Sequence, residues 1–251
     1  MDVQLNTDWL LTMLLIATRL AGLFLYSPVM GFNQLPVRVR VSFVLILALV
    51  FGLGLPNAVP HILSLPQLVF AALREFLVGA LIGLGVFVVF AATTFAGQML
   101  DAQIGLNVAV LFDYNTQAQN PLLGTIFGML AGAMFLALDA HHLLLRVMAQ
   151  TFELFPLGGG FSVAPALLAQ QLGAVFLFGL ALASPVALGV FLLDVTTAFV
   201  SRSMPQLNIY FVALPLKIFW GLLLLTVTLT HAGPLLQRLF TDAVTAPLVS
   251  R

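Results

Sequence analysis

Residues 97–121 read GQMLDAQIGLNVAVLFDYNTQAQNP, and the polarity of that stretch decides how the rest of the chain is understood. Long apolar runs stand on both sides of it. Here an apolar run is peppered with Gln98, Asp101, Gln103, Gly105 and Asn107. At about 100° per residue, Gln98, Asp101 and Gly105 share one stripe of a helix, while Gln103 and Asn107 fall on the far side. No face is clean enough to meet lipid, where each unpaired polar group costs several kcal/mol. Residues 108–112 form a short apolar cluster. Residues 113–120 carry almost no apolar side chain, and Pro121 closes the stretch. The pattern is that of a loop held inside protein or lining a water-filled space, set among membrane-spanning helices.

The composition supports the membrane assignment. The 251-residue chain is 61% hydrophobic and only 7% charged, against about 25% charged residues in soluble domains. Mean hydropathy is +1.13. The expected fold class is all-α: a polytopic membrane protein of broken and kinked helical hairpins, treated as one integral unit over residues 1–251. A formal net charge of zero leaves no basic patch for nucleic acid. The absence of cysteine excludes disulfides and thiolate metal sites. Thirteen prolines, many inside or at the edges of apolar runs, predict interrupted helices. No Lys or Arg precedes Trp9, and the run over 9–30 is longer than the apolar region of a removable signal peptide, so it reads as a first anchor.

A spanning helix needs about 20 apolar residues. Six runs qualify or nearly so: 9–30, 41–55, 67–96, 122–138, 167–200 and 211–230. The second is short. The third, near 45 Å if helical, exceeds a bilayer core of about 30 Å, so part of it tilts, bends or leaves the membrane. The fifth is over-long and reads as interrupted at Ser184-Pro185. The tail from Pro234 reads as weakly amphipathic, fraying over 241–251. Arg38 and Arg40 place the first break on the cytoplasmic side. Arg146, Arg202 and Arg238 do not sustain a simple alternation, which suggests that not every run is an ordinary crossing.

Charges inside apolar runs come next: Arg19, Arg74, Glu75, Asp101, Asp194 and Lys217. Each costs at least about 2.5 kcal/mol on insertion scales, so each needs a partner or water. A proton or substrate relay is one explanation; ion pairing between helices or subunits is the plainer and preferred one. Neighbours Arg74 and Glu75 point about 100° apart and are expected to pair with other helices. Asp139, His141 and His142 suggest a helix-end polar cluster rather than a metal site, since adjacent histidines diverge on a helix and no His-rich partner segment exists. Ser162, after Gly160-Phe161, lacks the second glycine of a nucleophile elbow. No catalytic residue, metal or cofactor is expected. Gly79-Gly83 and Gly128-Gly132 permit close helix contact, within one chain or between subunits.

Four stretches then carry a resemblance: LPVRVRV (35–41), GQMLDAQIGLNVAVLFD (97–113), HHLLL…TFELFPLGGG (142–160) and MPQLNIYFVALPLK (204–217). In that order, and over nearly the whole chain, the sequence resembles the FliR family of flagellar export proteins, equivalent to the T-type export-apparatus subunit of virulence injectisomes. One departure is Tyr114 after Asp113, where members often carry proline. The resemblance implies one copy in a helical export gate at the base of the flagellar rod, in the bacterial inner membrane and partly lifted toward the periplasm. Its partners would be P-type and Q-type subunits (FliP, FliQ), the B-type switch subunit (FlhB), the large A-type subunit (FlhA), and the rod and exported proteins. Residues 1–167 would look like a P subunit and 168–245 like a Q-subunit hairpin, with a tail over 246–251. Energy would come from other components, through the proton motive force and an associated ATPase.

The resemblance also implies that residues 106–120 plug the closed pore, with Leu106, Asn107, Val108, Val110, Leu111, Phe112, Asp113, Tyr114 and Asn115 as gate residues. The physics is coherent: Val108, Val110, Leu111 and Phe112 are apolar enough to fill a narrow lumen without water, and moving a small plug costs less than dismantling a bundle. Arg38, Arg40, Arg74, Glu75, Asp101, Asp194, Arg202, Gln206, Asn208 and Lys217 are the candidate inter-subunit polar contacts. The rivals are a virulence T-type subunit; a secondary transporter, suggested by broken helices and intramembrane charges but without a convincing repeat between the halves; and, weakest, an intramembrane hydrolase.

Overall fold

The computed structural model describes residues 7–26, 35–54, 64–106, 121–159, 165–204, 206 and 209–249. Among these the secondary structure is entirely helical: α1 (Thr7–Tyr26), α2 (Val37–Gly54), α3 (Leu65–Ile104), α4 (Leu122–Ala137), α5 (Ala140–Leu154), α6 (Pro165–Ser203) and α7 (Ile209–Val249). Five helices are long and apolar enough to cross a membrane, or six if α4 and α5 count as one broken span. The chain is thus an all-α, multi-pass membrane protein.

Three elements run further than the sequence suggested. Helix α3 has 40 residues, about 60 Å at 1.5 Å per residue, and takes in residues 97–104. That part of the polar stretch is helix, not loop. The apolar stripe explains it: Ala92, Ala96, Leu100 and Ile104 are all buried at i, i+4 spacing, so the packing face passes unbroken between the polar residues. Helix α6 continues through Pro185. Proline cannot donate to the carbonyl four residues earlier, but the Ser184 hydroxyl donates to that same Ala181 carbonyl at 3.0 Å. A serine thereby satisfies the acceptor that proline orphans. Helix α7 carries on to Val249 rather than stopping near Thr230.

The chain divides into two compact units, Met1–Val88 with Asp139–Gln171 and Phe240–Arg251, and Val89–Leu138 with Leu172–Leu239. In the first, Leu15, Ile16, Leu20 and Leu23 of α1 are fully buried together with Val78, Ile82 and Val86 of α3 and Leu144, Val147 and Met148 of α5. Helices α1 and α3 meet backbone to backbone. A Cβ on Gly79 would lie 1.8 Å from the Arg19 carbonyl oxygen, one on Gly83 2.3 Å from that of Leu23, and one on Gly22 2.2 Å from that of Phe76. The Gly79-Gly83 pair is therefore an intrachain contact. Gly128 and Gly132 are looser, with nearest approaches of 3.3 and 3.9 Å. Phe24 and Phe43 join α1 to α2 edge to face at 5.3 Å.

In the second unit the core joins Ala96, Leu100 and Ile104 of α3, Leu123 and Phe127 of α4, Phe178, Leu182, Val186 and Val190 of α6, and Leu225 of α7. Gly97 and Gly221 provide the close approaches: a Cβ on Gly97 would sit 2.5 Å from the Leu123 carbonyl, and one on Gly221 2.6 Å from the Ile104 side chain.

Candidate functional site

The two ends of the central segment converge on one residue. Helix α4 begins after Pro121, which supplies no side-chain cap, so the first-turn N–H groups of α4 need an acceptor from elsewhere. Asp101 of α3 provides it. Its carboxylate accepts from the backbone N–H of Leu123 through Oδ1 and of Gly124 through Oδ2, both at 3.0 Å. The carboxylate caps a helix it does not belong to, and its charge faces the positive end of that helix. Gly97, one turn earlier, leaves the room that lets the α4 backbone come this close.

The backbone of Asp101 closes the other end. Helix α3 stops at Gly105, whose φ of +87° lies in the left-handed region. The N–H groups of Gly105 and Leu106 both donate to the Asp101 carbonyl at 3.1 Å. One fully buried residue therefore takes four backbone N–H groups, two from where the chain leaves α3 and two from where it enters α4. Of the expected gate residues, Leu106 is half-buried against the second unit's core. Asn107, Val108, Val110, Leu111, Phe112, Asp113, Tyr114 and Asn115 lie outside the described residues, as does Asn208.

A second clamp holds residues 155–159 in the first unit. Arg19 is 1% exposed and pairs with Glu75 of α3 through Nε. Its Nη1 donates to the Thr151 carbonyl at 3.0 Å and its Nη2 to the Phe155 carbonyl at 2.9 Å, with the guanidinium 4.4 Å from the Phe152 ring centroid. The cation thus sits at the negative end of α5. The second Glu75 oxygen accepts from the Gly158 N–H at 3.1 Å, and Gly158 has φ +73°. Arg74 donates to the Gly159 carbonyl at 3.0 Å and stacks over Phe70, one turn away on α3. Arg74 and Glu75 accordingly ignore each other, as their angular spacing demanded. A buried ion pair whose remaining hydrogen-bonding capacity goes to backbone is the arrangement that makes its desolvation tolerable.

Between α6 and α7, Lys217 Nζ contacts both Asp194 oxygens at 2.9 Å. The Asp194 side chain is 41% exposed among outward-facing apolar residues such as Leu188, Phe191 and Phe219. Arg202, Gln206 and Arg38 are exposed, and Arg40 is half-buried. At the break between α4 and α5, Asp139 has φ +54° and meets His142 Nδ1 at 3.3 Å. The two histidines do not diverge as expected: their rings lie 4.1 Å apart, because first-turn side chains lean back toward the helix start and His142 turns to Asp139. Ser162 lies outside the described residues. Sequence reasoning missed Thr151, Gly158 and Gly97 as partners in the two clamps. The spacing of Gly97 and Asp101, i and i+4 ahead of a helix start lacking its own cap, is the signal that points to the first.

A family model described as bacterial export proteins, family 1, matches residues 10–243. The chain is 30% identical to the flagellar biosynthetic protein FliR of Bacillus subtilis, over 90% of this chain and 89% of that one. It is 31% identical to the protein of the same name from Caulobacter vibrioides, over 86% and 87%. The Escherichia coli protein of that name is 29% identical, over 89% and 86%.

Proposed function

The chain belongs to the bacterial export proteins, family 1, and from that membership we propose that it is a non-catalytic gate subunit of the flagellar type III export apparatus. With P-type and Q-type subunits it forms the channel through which unfolded flagellar proteins leave the cell. Residues 106–120 plug the closed pore, and 168–245 form the Q-like hairpin. The gate sits in the inner membrane, raised partly toward the periplasm, and works with the switch and large export subunits.

The observation that carries the plug reading is the four-bond seat at Asp101. It ties the last residues of the chain before the segment and the first after it to α3. The charged side chains inside the bundle are occupied in holding backbone, which favours a structural over a relay role for Arg19, Arg74, Glu75 and Asp101. The half-buried Asp194–Lys217 pair, with the exposed Arg202 and Gln206, suits contact with neighbouring subunits; Asn208 is proposed with them from the sequence alone. The relatives' names favour a flagellar over a virulence apparatus.

The test is an ion-conductance measurement on the assembled gate in a planar bilayer. Deleting residues 106–120 opens a leak in an otherwise intact complex. Conductance equal to that of the closed wild type refutes the plug. Transport of a small solute by the chain alone in liposomes, without copurifying P- and Q-type subunits, refutes the gate and favours a secondary transporter.

A further inference from the structure

We propose that the cleft between α1 and α2 is a binding site for an anionic phospholipid. The phosphate rests on Arg40 at the start of α2, and one acyl chain lies along the cleft. The cavity is about 490 Å³ and is lined by Ala17, Ala21 and Leu25 of α1 and by Arg40, Val41 and Leu45 of α2. Arg40 as a whole is half-buried, but its Nε is buried and has no hydrogen-bond partner among the described residues. A guanidinium nitrogen taken from water and left unpaired calls for an anion.

The charge around it points the same way. The first turn of α2 carries Arg38 and Arg40 and no acidic residue. Two cations therefore stand at the positive end of a helix dipole, where an anion is favoured and a cation is not. The lipid chemistry follows from the walls. Only 6% of helix α2 is buried, so the cleft opens to whatever surrounds the bundle. A helix about 10 Å across fills roughly 400 Å³ per turn, so the cavity has room for barely one turn of a neighbour's helix. A slender acyl chain suits it, with a headgroup phosphate at the arginines. Basic pockets between spanning helices hold anionic headgroups by this combination of charge and apolar wall.

The experiment uses the full chain in nanodiscs of phosphatidylcholine doped with phosphatidylglycerol, and native mass spectrometry counts the lipids that stay with the protein. Phosphatidylglycerol is retained above its share of the disc. Arg40→Gln lowers that retention about fivefold, as expected for one interfacial arginine. Ala21→Phe, which fills the cleft from an exposed position, removes it, with unchanged circular dichroism showing that the fold persists. Excess inorganic phosphate does not displace the lipid. Equal retention of both lipids, wild-type retention in Arg40→Gln, or displacement by phosphate overturns the proposal. So does the assembled complex retaining no lipid because a neighbouring subunit fills the cleft.

Discussion

Replacing Asp101 tests whether one carboxylate governs the entry to α4. In Asp101→Ala the N–H groups of Leu123 and Gly124 lose their acceptors, and neither can turn to water, because Leu123 and Gly124 are buried. Each buried donor left unsatisfied costs about 1–3 kcal/mol, and the lost anion at the helix start costs up to about 2 kcal/mol more. Some relaxation of the first turn recovers part of this. A net cost near 3 kcal/mol is expected, a large share of the roughly 5–15 kcal/mol by which folds are stable. Asp101→Asn keeps one acceptor oxygen and should cost about half as much. The assay is hydrogen–deuterium exchange on the detergent-solubilised chain. At 1.4 kcal/mol per tenfold, amides 123 and 124 should exchange about a hundredfold faster in the alanine variant. Amides in the middle of α6, which are not among the donors to Asp101, should be unchanged. Wild-type protection at 123 and 124 in Asp101→Ala would refute the capping argument, and an Asn effect as large as that of Ala would show that the one neutral oxygen left in Asn does no capping.

The other predictions concern packing and pairing. Gly79→Ala forces a methyl into the Arg19 carbonyl and should lower stability by about 1–3 kcal/mol, read as a fall in thermal midpoint; Gly128→Ala, with a 3.3 Å neighbour, should change it little. Arg19→Met strands the buried Glu75 carboxylate and should cost about 3–5 kcal/mol; adding Glu75→Leu should recover part of that, and a double variant whose loss equals the sum of its parents' losses would disprove the coupling. Ser184→Ala leaves the Ala181 carbonyl without its donor and should cost about 1 kcal/mol, visible as faster exchange around residue 185. Lys217→Gln should reduce copurification with the proposed Q-type subunits while leaving the thermal midpoint of the isolated chain in place; a collapse of the midpoint instead would make the Asp194 pair an internal brace.

The membrane class, the helical content and the rough positions of the spans were legible because they rest on length and apolarity, which are additive along the chain. What needed the structure is cooperative. Residues 97–104 look like loop by composition, yet the stripe through Ala96, Leu100 and Ile104 holds them in α3. Pro185 looks like a break, and a neighbouring hydroxyl removes the reason for one. The divergence of Arg74 and Glu75 was readable from their angular spacing. Their partners, on α1 and the 155–159 turn, were not, because backbone acceptors carry no signature in side-chain identity. The role of Asp101 was hidden for the same reason: its donors are the amides of Leu123 and Gly124, which any residues but proline supply.

Pinning both ends of a segment at one residue also limits its travel. With the chain leaving α3 and entering α4 at Asp101, the tip of residues 107–120 is at most about 7 residues from its mooring, or roughly 25 Å of fully extended chain. That is shorter than the hydrocarbon thickness of a bilayer. On the plug reading proposed above, cargo would displace the segment without carrying it off, because Asp101 holds the points where the chain leaves α3 and enters α4.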